Sequence, residues 1–246
     1  NVATAIDING DMTFTTLNVN AGTGATAEDL NMTVSGNLTG TTIALTDATG
    51  NGSSTLTLDG TAAQTISAAI TASATGLGNV TVANTAGTVT FSEKVGDSAG
   101  NAVETITLNT GTTSVFNKAV DSTAITATTT ASSTFNAAVT NTNAITTGVG
   151  STTVFDSTVS SATLSNSGAM TLKGAVTLSG TMTTVSGSTI TLGSAFKAGS
   201  AAAITAASTS VGTLDQTVNA VTVNVNNQFT TGTVVLFKNT AAVLDA

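Results

Sequence analysis

The sequence predicts an all-β protein, a parallel β-solenoid (β-helix-like) whose coils each take roughly 20 residues. Tandem immunoglobulin-like β-sandwiches are the competing arrangement. Three observations carry this: apolar residues recur two apart, Gly and Asn punctuate the runs, and a Phe-x-x-x-Val unit repeats through the middle of the chain.

The alternation comes first. Ile6-Asp7-Ile8, Ile43-Ala44-Leu45, Leu56-Thr57-Leu58, Val80-Thr81-Val82, Val89-Thr90-Phe91, Ile106-Thr107-Leu108, Ile190-Thr191-Leu192 and Val221-Thr222-Val223-Asn224-Val225 each place their apolar residues on one face of a strand. Between them stand turn signals: Asn9-Gly10-Asp11, Thr49-Gly50-Asn51-Gly52, Asp59-Gly60, Gly76-Leu77-Gly78 and Gly96-Asp97. Ala62–Thr71 and Ala201–Ala207 are rich in Ala, which admits a helical alternative there, although interleaved Thr and Ile oppose it.

The repeat follows from Phe116-Asn-Lys-Ala-Val120, Phe135-Asn-Ala-Ala-Val139 and Phe155-Asp-Ser-Thr-Val159. Leu172-Lys-Gly-Ala-Val176 continues the series and Phe91-Ser-Glu-Lys-Val95 precedes it. The anchor thus returns, unevenly, about every 20 residues. A second anchor at Ile125, Ile145 and Leu164 falls midway, so each unit comprises two strand-plus-turn halves. One such coil cannot bury its inward face alone; stacking neighbours about 4.8 Å apart creates a continuous core, and about a dozen coils would rise roughly 60 Å. The Phe-x-x-x-Val residues are therefore expected in that core. Residues 1–88 repeat less regularly than 89–246, which divides the chain into an N-terminal β region and a β-repeat region, or else into one continuous solenoid over 1–246.

Composition excludes chemistry. The 246 residues contain no His, Cys, Pro, Trp or Tyr, and all five cations are lysines (Lys94, Lys118, Lys173, Lys197, Lys238) against 13 acids, for a net charge of −8. Without His or Cys there is no soft metal site, no His-activated nucleophile and no redox dithiol. The negative charge opposes nucleic-acid binding. Missing Trp and Tyr remove the usual sugar-stacking platforms. With 40% apolar residues and a mean hydropathy of +0.34, the chain can order despite its 7% charged content. No apolar run nears the roughly 18 residues of a membrane span. Nor does a charged-then-apolar leader follow Asn1, as expected of a processed secreted chain or of a segment from a longer one.

A Cys-free, acidic, Thr- and Ala-rich chain with repeating Phe-Asn-x-x-Val units resembles bacterial surface-layer proteins and autotransporter adhesin passengers. The resemblance rests mainly on residues 89–196. It implies an extracellular, cell-surface location and a scaffold role rather than catalysis. The expected function is a structural part of a surface layer, sheath or filament acting by self-association. The alternative is an adhesin stalk or passenger binding a host or abiotic surface. Its partners would be copies of itself, with a cell-envelope anchor or surface ligand in addition. The chain lacks both the Gly-Gly-x-Gly-x-Asp calcium nonapeptide and a membrane-barrel segment.

No catalytic or cofactor-binding residue is expected. Calcium is the one ion with candidate ligands. Asp7-Ile-Asn9-Gly-Asp11 opens like a calcium loop but lacks a Glu at the twelfth position, and a tight turn explains it as well. Asp97, Asn101 and Glu104 form a second oxygen-rich group. Glu28-Asp29, in a polar stretch, reads as a solvated loop rather than paired catalytic carboxylates, since adjacent residues on a strand would diverge. Sequons at Asn31, Asn37, Asn51 and Asn79 number four where about seven arise by chance in such a composition. Thr-x-Thr, the signature of ice-binding ranks, occurs 12 times; 57 Thr among 246 residues predict about 13, and the occurrences are not spaced one per coil.

Overall fold

The alternating runs fold into strands that stack in parallel, each on the equivalent strand one coil away. The computed structural model describes residues 2–22, 28–46, 52–74, 77–97, 100–179, 181–184, 188–192, 203–206, 214–216, 222–224 and 243–245. Thr49–Asn51, Gly76, Val221 and Val225 from the predicted turns and strands lie outside them. Every strand pairing among the described residues is parallel. Parallel pairing throughout is the solenoid's signature and rules out the sandwich alternative, whose hairpins and Greek keys pair antiparallel.

Two sheets run side by side. One has 12 strands, ten of them in line from Val2–Ile8 to Ala203–Ala206; the other has 11, ten in line from Met12–Thr13 to Leu214–Gln216. Both sheets are continuous through residue 88. Thr222–Asn224 and Val243–Asp245 form a separate pair. Ala62–Thr71 is strand from Gln64 onward, and Ala203–Ala206, the described part of the second Ala-rich stretch, is strand too, so the helical alternative does not hold over the described residues. The ten described coils, at about 4.8 Å each, rise roughly 45 Å. The dozen was expected of all 246 residues, whereas these ten lie within residues 2–216, and the early coils among them are longer than 20 residues. The register climbs from Met12 to Leu38, Ile66, Phe91 and Phe116 in wide steps, then through Phe135, Phe155 and Leu172 in narrower ones.

Each coil contributes to three inward columns. The first is Leu38, Ile66, Phe91, Phe116, Phe135, Phe155 and Leu172, in register from coil to coil and nearly solvent-free. Its four rings stack face to face with centroids 4.4, 4.6 and 4.9 Å apart and planes within 3–10°. The coil rise imposes that spacing. The second column is Ile43, Ile70, Val95, Val120, Val139, Val159 and Val176. The third runs through Leu56, Val80, Ile106, Ile125, Ile145 and Leu164. Phe-x-x-x-Val is thus core, spanning the corner between the first two columns.

Packing density is kept by exchanging volume within a strand. Two residues ahead of the four Phe stand Val89, Ser114, Ser133 and Thr153, whereas Gln64 precedes Ile66 and Met170 precedes Leu172; Leu38, at the start of its strand, follows Gly36. A bulky ring is accompanied by a smaller partner, as close packing requires. Most buried hydroxyls and amides find partners, although Ser114 Oγ and Thr123 Oγ1 have none. Ser133 meets Thr153 at 3.1 Å, Asn141 donates to Ser122 at 3.2 Å, and Thr147 donates to Asn166 at 2.6 Å. Gln64 Nε2 donates to the Val34 carbonyl at 2.9 Å while its Oε1 accepts from Asn84 at 2.9 Å. These bonds offset the cost of taking polar groups out of water.

The corners are tight turns. Thr112, Ala131 and Ser151 N–H donate to the carbonyls of Asn109, Thr128 and Gly148, all at 3.2 Å. The residue before each donor adopts the left-handed conformation: Gly111 (φ 76°), Thr130 (φ 58°) and Gly150 (φ 70°). Two coils place glycine where the turn demands positive φ; the third forces a β-branched residue into it.

Candidate functional site

The calcium candidates sit at corners, where their oxygens already have partners. Asp11 follows the Asn9-Gly10 turn, and its carboxylate accepts from Asn37 N–H at 2.8 Å and from Asn37 Nδ2 at 3.0 Å. Asn37 Oδ1 in turn accepts from Thr65 N–H at 2.7 Å. The result is a side-chain ladder tying three successive coils together along one corner. Asp7 lies before the turn, exposed on the outer face of Val2–Ile8 in register with Thr33.

At the other candidate, Asp97 and Asn101 close a loop through reciprocal backbone bonds of 3.1 and 2.9 Å. Ser98 and Ala99 between them lie outside the described residues. The Lys94 ammonium is bonded to the Asp97 carboxylate, supplying there the positive charge a calcium ion would bring. Asn101 is half-buried and Glu104 exposed at the start of Val103–Leu108. Among the described residues no three acidic groups come together as a metal site. Glu28 and Asp29 open the strand Glu28–Val34 and are not a loop as expected, because both are held in parallel ladders; Asp29 accepts from Ser53 N–H and Oγ at 3.0 and 3.2 Å, a structural contact between coils. The other described ion pair, Lys173 with Asp156 at 2.6 Å, joins neighbouring coils at the corner after the Phe column.

Depressions among the described residues are open, with linings more apolar than polar. One of about 420 Å³ lies over Asn141, Ser160, Ser161 and Thr177. Its two buried polar groups are engaged with each other, Ser161 donating to Asn141 Oδ1 at 3.3 Å, so neither is poised toward a ligand. Of the sequons, Asn31 and Asn79 face outward on the first sheet, Asn37 belongs to the corner ladder, and Asn51 lies outside the described residues.

The outer faces hold what the motif count missed. On the first sheet, Thr33, Thr57, Thr81, Thr107, Thr126, Thr146, Ser165 and Thr183 align in one column across eight successive coils. The position two residues earlier forms a second column, with Asn31, Thr55, Asn79, Thr105, Ala124, Ala144 and Thr163. Thr-x-Thr is therefore not the repeating unit; a single Thr per coil is. Coils of unequal length along this column hide that order from any fixed-period count. The second sheet's outer column, Thr65, Thr90, Val115, Thr134, Val154, Thr171 and Thr191, is also β-branched throughout but mixes Thr with Val.

Among the described residues no helix is long and apolar enough to cross a membrane. No family model, curated protein or solved structure matches the chain.

Proposed function

We propose that the chain is a non-catalytic structural segment of an extracellular surface assembly, such as a surface layer, sheath or filament, that works by self-association. The observation that carries this reading is a body built of stacked coils: two continuous parallel sheets enclose three apolar columns, and among the described residues no acidic groups gather into a metal site. A rod of this kind works by shape and by contacts along its faces. Ile6 and Val149 are the exposed large apolar side chains among the described residues and give copies apolar points of contact. Low charge density supports close packing of many copies, since 7% charged residues offer little mutual repulsion.

Electron microscopy and sedimentation of the purified chain test the proposal. Filaments or lattices that disperse when Ile6 is replaced by Lys support it. A monodisperse monomer at high concentration, or isolated stalks on the cell, would favour the adhesin reading instead.

A further inference from the structure

We propose that the outer face of the first sheet binds ice. The warrant is the column from Thr33 to Thr183, seven Thr and one Ser in eight successive coils, in a chain where Thr is 57 of 246 residues. Strand propensity favours Thr at outward positions but does not distinguish it from Val. On the second sheet the equivalent column carries Val at two of its seven positions, whereas on the first every position from Thr33 to Thr183 carries a hydroxyl.

The geometry points to a partner with its own lattice. Successive coils repeat the column about every 4.8 Å, and the companion column lies about 6.6 Å away along the strand, two residues at about 3.3 Å each. The result is a rectangular net of the scale of the oxygen repeats on hexagonal ice, with hydroxyls throughout the first column and at Thr55, Thr105 and Thr163 of the companion. Each Thr adds a methyl that displaces disordered water beside a hydroxyl that bonds ordered water. Its β-branch holds both in a restricted set of rotamers, so little entropy is lost on contact. From Thr33 to Thr183 the two columns contain no charged residue, although the chain carries 13 acids.

Other occupants fit less well. A small molecule needs a concavity with convergent polar groups. The core of an interface with a second copy is more apolar than a Thr column flanked by Asn and Thr. A crystalline polysaccharide is usually gripped by Trp and Tyr platforms, and the chain has neither.

The experiment grows single ice crystals in supercooled solutions of the chain and measures its partition into the advancing ice. Thr126→Lys and the uncharged Thr107→Leu disrupt the face; Thr129→Lys places the same charge on an exposed corner. Circular dichroism establishes that each variant is folded. The expected result is faceted growth and enrichment in ice with the natural chain and Thr129→Lys, and loss of both with the two face variants. Unshaped crystals with the folded natural chain would overturn the proposal. So would equal loss in Thr129→Lys, or retention on microcrystalline cellulose or chitin without enrichment in ice.

Discussion

Replacing Phe135 by Ala empties the middle of the aromatic column. The ring is 1% exposed and lies between Phe116 at 4.6 Å and Phe155 at 4.9 Å. Truncating a buried Phe costs about 3–5 kcal/mol, the spread reflecting how far the site can collapse. Collapse is restricted here because Ser132–Phe135 is held on both sides by parallel ladders to Thr113–Phe116 and Thr152–Phe155. Two stacked pairs are also lost, each worth about 0.5–1.5 kcal/mol beyond buried area. The upper half of the range is therefore expected, a large fraction of the roughly 5–15 kcal/mol of a typical domain. Phe135→Leu should cost only about 1–2 kcal/mol, because a branched aliphatic retains most of the buried volume. Leu172 fills the same column two coils further on. Urea unfolding followed by circular dichroism gives both values, the chain having no Trp or Tyr to report by fluorescence. A loss below about 1 kcal/mol for Ala, or equal losses for Ala and Leu, would refute the claim that this column is tightly packed.

Three further outcomes are expected. Thr130→Gly should raise stability by up to about 1 kcal/mol, since relieving left-handed strain gains about 1–2 kcal/mol and glycine's added freedom returns about 0.5–1; the urea midpoint reads the difference. Deleting residues 116–134 joins Val115 to Phe135, which replaces Phe116 in register, so the shortened chain should still unfold cooperatively with β-type dichroism; a disordered product would contradict the interchangeability of coils. EDTA should leave the melting temperature of the isolated chain unchanged, because Asp11 is committed to Asn37 and Asp97 to Lys94; a drop of several degrees would reveal a structural ion.

Much of the architecture was legible because it is local. Alternation forces period-2 burial whatever a strand pairs with, and the Phe-x-x-x-Val unit marks a fixed corner between two columns. Equivalence of Phe116, Phe135 and Phe155 could be read directly, and the stacked rings bear it out. The early coils were harder. There Ile66 and Leu38 hold the position that Phe holds later, and the longer coils conceal the kinship. Gln64, Asn84 and Asn141 could not be recognised as interior either, since a polar side chain declares itself buried only through partners supplied by other coils.

By itself, then, the sequence determined the strand habit, the inward and outward alternation, the repeating core unit and the absence of His and Cys chemistry, because each depends on residue type or short spacing. Only the tertiary structure decided which residue of one coil lies over which residue of the next. Register across loops of unequal length is a property of the stacked whole, set by hydrogen-bond ladders and column packing together. That register joins Asp11 to Asn37 and Thr65 along a corner. It also gathers Thr57, Thr81, Thr107, Thr126 and Thr146, each a whole coil from the next along the chain, into one exposed line.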